Sequence, residues 1–349
     1  MACTLFPVGK LTLALTALVA GLATANAMGA PDELVLKNGS KIIGVVKGIR
    51  DGLVTVETEF AGSLKIQQDQ IVSLQSDGPV VLKLKDGEVL TEPRLEVTRE
   101  QLVLTSGDAP AGGGYSLRDL ALSDPEPWEL GRGYRWTGQA SAALGAQRGN
   151  TDTDEFDYRV DSVWRSLQDR YTAGLNGEID EANGVKNAEN WAALLKYDRF
   201  LEGPLYWGVN ASAEQDTFAD LDLRYYLGPY LGRQFYEEPV LTLSGEAGLV
   251  FVDEDFMIAE DQDYLGANWT VDASSNYLGD SSRLYLKHTG IWNLDETDNV
   301  VLHLVMGLSF PLLMNIEGAA EVLFKYDSAV PSELEKLDQS YRFRIGYSW

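Results

Sequence analysis

The chain has 349 residues, with 53 acidic against 28 basic side chains, and its formal net charge is −25. Such an acidic balance argues against nucleic acid as a partner, because phosphate binding needs clustered lysine and arginine. After residue 30 no apolar run reaches the roughly 18 residues that a membrane helix needs, so any entry into a membrane would use strands.

Residues 1–27 are predicted to be a signal peptide. Lys10 supplies the positive charge, residues 11–22 form an apolar core, and Ala25-Asn26-Ala27 reads as an A-x-A cleavage site. An uncleaved anchor helix fits less well, because the apolar core is short. Cys3 is the only cysteine, so a mature chain beginning near Met28 has no disulfide and no thiol nucleophile. These features indicate export into a bacterial envelope.

Residues 32–126 are predicted to be a periplasmic segment of short strands and tight turns. The hairpin signal Asn38-Gly39 is followed 48 positions later by Asp86-Gly87, and residues 53–57 are followed at the same spacing by residues 101–105. We interpret this as two copies of a small, bent all-β unit with the strand rhythm of SH3-like or Sm-like barrels. Its partner is not identified by the sequence, and both an adaptor and a structural spacer are compatible with it.

A stiff linker is predicted to separate this segment from the rest of the chain. Pro125 and Pro127 are flanked by acidic residues, a composition that favours extended backbone. We therefore place the domain boundary there, with residues 127–133 as the linker and residues 134–349 as the second domain.

Long strands of alternating polarity fill the second domain. In residues 170–180, for example, Tyr171, Ala173 and Leu175 oppose polar neighbours. Most of the strands reach the roughly 9–11 residues that a tilted strand needs to cross a bilayer. A soluble sandwich of seven to nine short strands would not require this length. We predict twelve strands over residues 134–148, 154–165, 170–180, 187–200, 205–218, 221–235, 240–253, 262–277, 283–293, 300–310, 314–327 and 338–349.

The connections are predicted to sort by parity. Short turns follow the even-numbered strands of this set, as in residues 201–204 and 311–313, and longer acidic segments follow the odd-numbered ones, as in residues 180–186 and 253–262. An outer-membrane barrel has short periplasmic turns and longer outer loops. The fold prediction is therefore a twelve-stranded antiparallel transmembrane β-barrel with both termini in the periplasm.

The last strand carries a second prediction. Its apolar side is aromatic or β-branched up to the final residue, which is unusual for a terminus. This pattern resembles the C-terminal signal read by the barrel assembly machinery, although many such signals end in phenylalanine. The residues of this candidate assembly signal are Tyr341, Phe343, Ile345, Tyr347 and Trp349.

Residues 135–349 resemble a known family. The stretch from Trp136-Thr137-Gly138 to Gly145, then residues 149–152, Tyr197-Asp198-Arg199 and residues 226–230 are similar to the salt-induced outer-membrane protein family, domain of unknown function 481. The resemblance implies an outer-membrane β-barrel of Gram-negative bacteria, with a possible link to salt stress in its name only. The family has no established activity.

Charges of both signs are predicted to face the lumen. A barrel of twelve strands is much narrower than open porins of 16–18 strands, so these charges are expected to pair and to occlude it. A narrow channel for small solutes or ions is the alternative. The predicted lumen charges are Asp157, Arg159, Asp161, Glu178, Lys196, Asp198, Glu214, Glu246, Asp272, Lys287, Glu321, Lys325, Arg342 and Arg344.

Neither a cofactor nor a catalytic role is expected. The acidic outer loops have the oxygen ligands that divalent cations prefer, and such ions also bridge lipopolysaccharide phosphates, but no EF-hand spacing is present and a solvated repulsive surface is the favoured interpretation. A lipid-cleaving barrel enzyme would need a histidine beside a nucleophile. Only His288 and His303 are available, and we expect His303 to face the lumen and His288 to face lipid. The leading hypothesis is a structural or interaction role in the outer membrane, among lipid and lipopolysaccharide.

Overall fold

The computed structural model describes residues 31–105, 114–147, 152–238, 240–279, 281–329 and 335–349. The predicted signal peptide lies outside the described residues, as do residues 149–151 of the stretch that resembles the known family. The chain divides into two compact units, Met1–Pro125 and Glu126–Trp349. Across the described ranges, the short helices that occur are neither long nor apolar enough to cross a membrane.

The first unit is a single open antiparallel sheet. Its strand order is β4-β3-β2-β1-β5-β6-β7, with β8 paired to β5. One-turn 3-10 helices, Gln68–Gln70 and Leu117–Asp119, precede β5 and β8. The small all-β segment predicted for this region is therefore confirmed. The strands are β1 (Asp32–Leu36), β2 (Lys41–Arg50), β3 (Leu53–Thr58), β4 (Gly62–Gln67), β5 (Ile71–Leu84), β6 (Val89–Thr98), β7 (Gln101–Leu102) and β8 (Leu120–Ser123).

The two sequence copies are related by equivalent hydrogen bonds. The amide of Lys37 donates to the carbonyl of Gln70 at 2.8 Å, and the amide of Lys85, 48 positions later, donates to the carbonyl of Asp119 at 2.9 Å. The long strand β5 belongs to both copies: its first half pairs with β1 and its second half pairs with β8. The copies therefore share one sheet and are not separate units.

One hydrophobic core serves both copies, and a buried glutamine connects them. The Gln68 side chain is buried, and its Nε2 donates to the carbonyls of Leu117 at 3.2 Å and Leu120 at 3.1 Å. A buried amide must be hydrogen-bonded to avoid a desolvation penalty. The core residues of the unit include Leu34, Ile49, Val54, Val56, Ile71, Leu74, Leu82, Leu84, Leu95, Val97, Leu117 and Leu120.

Replacing Gln68 with alanine is expected to destabilise the first unit by about 1–3 kcal/mol, because two buried carbonyls lose their donor. Hydrogen exchange of the full-length protein should show faster exchange in β5 and β8. Gln70 belongs to the same helix and is exposed, and its side chain donates to the neighbouring Asp69, so Gln70→Ala is a matched control. Equal effects of both substitutions would contradict the proposed connection.

The predicted stiff linker has a different structure. Pro127–Leu130 forms a short 3-10 helix that ends at Gly131, whose positive φ of 76° closes the turn. The amide of Glu126 donates to the carboxylate of Glu129 at 2.8 Å, and the Trp128 indole donates to the carboxylate of Glu126 at 2.7 Å. Proline is favourable at the first position of a helix, so this sequence begins a helix and does not extend.

The second unit is a closed barrel. Each strand pairs antiparallel with the next, and β20 pairs with β9 to close the ring. This confirms the predicted twelve-stranded antiparallel barrel. The strands are β9 (Arg135–Gln147), β10 (Thr153–Arg165), β11 (Asp169–Ala182), β12 (Val185–Phe200), β13 (Leu205–Asp216), β14 (Leu221–Glu238), β15 (Leu241–Phe256), β16 (Gln262–Ser275), β17 (Arg283–Asn293), β18 (Val300–Leu313), β19 (Ile316–Asp327) and β20 (Leu337–Ser348).

We call the barrel end at which β9 begins and β20 ends the turn end, and the opposite end the loop end. Two connections differ from the predicted parity. At the loop end, β11 and β12 are joined only by Asn183-Gly184, whose φ values of 53° and 76° are those of a tight hairpin turn. At the turn end, residues 276–282 form a longer connection. Pairing extends β11 to Ala182, which shortens the predicted acidic loop.

The outward face is apolar and ends in aromatic side chains at the turn end. Leu195 and Leu231, for example, lie on this face and are largely exposed. Two rows of neighbouring rings follow the turn end, with centroid separations between 5.1 and 6.3 Å. Such a row is the arrangement expected of an interfacial aromatic girdle. The first row is Tyr347, Trp349, Trp136 and Trp164, and the second is Tyr134, Tyr171, Tyr197 and Trp207.

Several glycines lie directly opposite aromatic residues of the next strand. A Cβ atom at these glycines would lie between 2.1 and 2.5 Å from the opposing ring or its hydroxyl, so only glycine leaves room for the ring. Rings that cover a cross-strand glycine restore the packing that the glycine lacks. The pairs are Tyr158 with Gly177, Tyr206 with Gly232, Tyr230 with Gly208, Trp269 with Gly290, and Tyr285 with Gly307.

Candidate functional site

The strand register places all fourteen predicted lumen charges on the face that points into the barrel. Ten of them form hydrogen bonds or ion pairs that fall into three clusters, and an eleventh, Asp161, accepts a hydrogen bond from Gln139 at 2.9 Å outside these clusters. The other three are Asp272, Lys287 and Lys325. Asp272 and Lys287 are register partners, and no ion pair within 4.0 Å joins any of the three to another described residue.

The first cluster, here the seam cluster, ties β20 to β10 and β11. Arg342 Nη1 lies 2.9 Å from Asp157 Oδ1, and its Nη2 donates to Glu178. Arg344 Nε donates to Glu321 at 2.7 Å. The Glu321 carboxylate also accepts hydrogen bonds from Arg159 at 2.8 Å and from Tyr285 at 2.7 Å. The cluster balances three acids with three bases: Asp157, Glu178, Glu321, Arg159, Arg342 and Arg344.

The second cluster lies toward the turn end. Lys196 donates to Glu246 at 2.6 Å, and Asp198 accepts a hydrogen bond from Arg170 Nε at 2.5 Å. The sequence prediction missed Arg170, which begins its strand, although the alternation of residues 170–180 places it on the inward side. It also missed two tyrosines whose hydroxyls complete the cluster. Tyr206 donates to Glu246 at 2.9 Å, and Tyr230 donates to Asp198.

The third cluster crosses the lumen at the loop end. Arg224 donates to Glu214 at 2.9 Å, to Glu254 at 2.5 Å and to Asp327 at 2.9 Å. Asp327 lies on β19, five strands away from β14, so this arginine joins opposite parts of the barrel wall. Arg224, Glu254 and Asp327 were missing from the predicted set. Their side chains lie close to strand ends, where sequence reasoning places boundaries least accurately.

A cavity of about 450 Å³ lies at the loop end of the lumen. Lys325, for which the described residues provide no ion pair, contributes to its wall, and Arg224, Glu214 and Asp327 also line it. Acidic side chains outnumber basic ones in this lining, so the cavity has a negative electrostatic character. Its lining includes Asn190, Glu214, Asp216, His303, Lys325 and Ser340.

The two histidines lie on opposite faces of the barrel wall. His303 lines the cavity, whereas His288 points outward, with its Nδ1 atom 3.1 Å from the backbone carbonyl oxygen of His303. They cannot act on the same bound molecule. Within the described ranges, no group of three or more histidine, cysteine, aspartate or glutamate side chains is placed to hold a metal ion.

The candidate assembly signal lies on the outward face of the barrel. Tyr341, Phe343, Ile345 and Tyr347 are exposed there. Trp349 is different, because its indole packs against neighbouring rings and its Nε1 atom is buried without a hydrogen-bond partner in the described part of the chain. Four of these side chains are therefore exposed on the outer surface of the barrel, and the fifth belongs to the strand closure.

The chain was compared with known proteins. Among solved structures it is similar to the translocator domain of the autotransporter NalP from Neisseria meningitidis, with 13% identity, 63% of this chain and 88% of that chain covered, and a TM-score of 0.36. It is also similar to the NanC porin, with 9% identity, 62% of this chain and 99% of that chain covered, and a TM-score of 0.39. A third similar structure is the outer membrane channel DcaP of Acinetobacter baumannii, with 10% identity, 62% of this chain and 96% of that chain covered, and a TM-score of 0.32.

A search of curated proteins finds no match. The family model described as "Protein of unknown function, DUF481" matches residues 140–349, which is more than half of the chain. This match confirms the resemblance seen in the sequence and covers the barrel from β9 to its last residue. The chain therefore belongs to the DUF481 family.

Proposed function

We propose that this protein is a barrel of the bacterial outer membrane with an occluded lumen and a structural or interaction role in the envelope. The apolar outward face and the aromatic rows at the turn end support insertion into a bilayer. The proposed orientation puts the turn end at the periplasm, because β9 follows the first unit there. The open sheet of residues 32–123 would then lie in the periplasm.

The observation that carries this proposal is the contact of Arg224 with Asp327. Its guanidinium also binds Glu214 and Glu254, so one side chain holds three strands of the wall and the opposite strand together. An ion would have to break these charge-assisted hydrogen bonds to pass, and such bonds are about twice as strong as neutral ones. The lumen therefore serves as a packed polar interior.

Refolded protein in planar bilayers is expected to give no regular conductance steps. Arg224→Gln should produce steps, because loss of the guanidinium leaves three carboxylates that repel one another. Arg199→Gln is the control, since Arg199 lies on the outward face and pairs with Asp169. Insertion is checked separately by the different gel migration of boiled and unboiled samples. Regular wild-type steps that vanish when Arg342 and Arg344 are both changed to glutamine would contradict the occluded lumen.

The second candidate is a narrow channel for small solutes or ions. The cavity of about 450 Å³ favours this function, because it forms a polar entrance to the lumen at the loop end. Its excess of acidic side chains would favour cations. Cation-selective steps in wild-type protein would support this function in place of the first.

The proposed partners follow from this location. The outward face would contact outer-membrane lipid and lipopolysaccharide, and the last strand would be read by the barrel assembly machinery. The first unit would bind a periplasmic partner, and a link to salt stress would act through that interaction. We propose no catalytic step, since the two histidines lie on opposite sides of the wall.

A further inference from the structure

The seam between β20 and β9 is paired over only part of its length. Four residue pairs join these strands, from Ile345 with Ala142 to Ser348 with Gln139, whereas β19 and β20 share eleven pairs and β9 and β10 share thirteen. The four pairs lie toward the turn end. Continuing the same register would place Phe343 opposite Leu144, but neither this pair nor its neighbours form. The loop-end half of the seam is therefore a gap.

The outer edge of this gap is apolar. Leu144 is 81% exposed and Tyr341 is 75% exposed, and Phe343, level with Leu144, also points outward. These exposures are among the largest of the outward side chains. A gap bordered by such groups, on the face proposed to contact lipid, presents a surface for hydrocarbon.

The inner side of the gap is occupied by the seam cluster. Arg342 reaches past β9 to Asp157 on β10, so an ion pair bridges β20 and β10 where backbone pairing with β9 is absent. Arg344 is buried, with 3% of its side chain exposed, and its Nη1 atom has no hydrogen-bond partner in the described residues. Ser340, farther along β20, lines the cavity, so the cavity begins nearer the loop end of this strand.

An unpaired strand edge is not tolerated in hydrocarbon unless it lines a polar space or is covered. Here the edge lies between the polar seam cluster on its inner side and an apolar rim on its outer side. A molecule that fills both environments has an acyl chain and a polar headgroup. The Arg344 Nη1 atom has no acceptor in the described residues, so a carboxylate headgroup can accept a hydrogen bond from it.

We propose that the gap between β9 and β20 is a lateral opening that takes up a single-chain anionic amphiphile, such as a fatty acid, from the outer leaflet. Its acyl chain lies between Leu144 and Phe343, and its carboxylate accepts a hydrogen bond from Arg344. This inference rests on the membrane insertion proposed above and does not require conduction through the lumen.

The first test is disulfide crosslinking. Because Cys3 is the only native cysteine, few competing disulfides can form. The variant Ala140→Cys/Tyr347→Cys probes the paired half of the seam, and Leu144→Cys/Phe343→Cys probes the gap. Cross-strand Cβ atoms in a formed pair are about 4.5–5.5 Å apart. The first variant is therefore expected to oxidise readily and the second to remain reduced. Equal rates of disulfide formation would overturn the lateral opening.

The second test is native mass spectrometry of the refolded full-length protein with dodecanoate, and with dodecyltrimethylammonium as a probe of equal chain length and opposite charge. Dodecanoate should form the stronger adduct, and Arg344→Gln should weaken it about tenfold, the effect of losing one charge-assisted hydrogen bond. Arg233→Gln, on the outward face, is the matched control and should bind normally.

Equal binding of the two amphiphiles, or no dodecanoate adduct, would overturn the ligand assignment. If Arg344→Gln does not fold, the crosslinking result and the comparison of the two probes on wild-type protein still decide the proposal. Failure of the proposed function is seen differently, because a protein that is not a membrane barrel would show no migration difference between boiled and unboiled samples.

Discussion

Replacing Arg224 with alanine is expected to destabilise the barrel by about 3–5 kcal/mol, the cost of removing one partner from a buried ion pair. The arginine side chain is only 5% exposed and contacts three carboxylates within 2.9 Å. Without it, Glu214, Glu254 and Asp327 remain close together with no cation, and water must enter or the wall must separate. Urea titration of refolded protein, with the folded fraction read from the unboiled gel band, measures the change.

The matched control is Arg199→Ala. Arg199 is 39% exposed and pairs with Asp169 at 2.8 Å on the outward face, and an exposed pair contributes at most about 1 kcal/mol. Arg224→Lys should fall between the two variants, because an ammonium group cannot bind three carboxylates with a planar fork. Similar small losses for Arg224→Ala and Arg199→Ala would mean that the lumen contact contributes little to stability.

Deleting Trp349 is expected to lower the stability of the barrel by about 3 kcal/mol, from two lost backbone hydrogen bonds and lost aromatic contacts. The Trp349 amide donates to the Gly138 carbonyl at 3.0 Å, and the Gly138 amide donates to the Trp349 carbonyl at 3.0 Å. The indole also lies 5.7 Å from the ring of Trp136. Because the seam has only four register pairs, this terminal contact is a large share of its closure. The same urea titration measures the loss.

Two further variants separate the seam from the assembly signal. Gly138→Val keeps the C-terminal residues intact, but its Cβ would lie 2.5 Å from both the Trp349 ring and the backbone oxygen of Asp161. Equal outer-membrane levels of this variant and the deletion, both reduced, would assign the effect to closure. If only the deletion of Trp349 reduces the outer-membrane level, the effect would be assigned to recognition by the assembly machinery. Ile258→Ala, at a fully exposed loop position, should leave the level unchanged.

The sequence determined the strands because strand polarity is a local property. A residue and its second neighbour share a face whatever the strand pairs with, so Tyr171, Ala173 and Leu175 could be assigned outward without a structure. The same rule placed the lumen charges on the inward face. The sequence also shows the 48-residue repeat, since each copy has its own hairpin turn. The sequence did not show that both copies share β5, because a strand that pairs with two partners has no distinct sequence pattern.

Partners across the lumen were decided only by the tertiary structure. Arg224 and Asp327 are 103 positions apart, and their contact depends on the curvature and shear of a closed ring rather than on alternation. The same holds for the seam. Period-two alternation in the last strand gave its faces and its aromatic end, but not where its pairing with β9 stops. Arg342 and Arg344 lie where this pairing has stopped, and only the folded ring brings them to their ion-pair partners on β10 and β19.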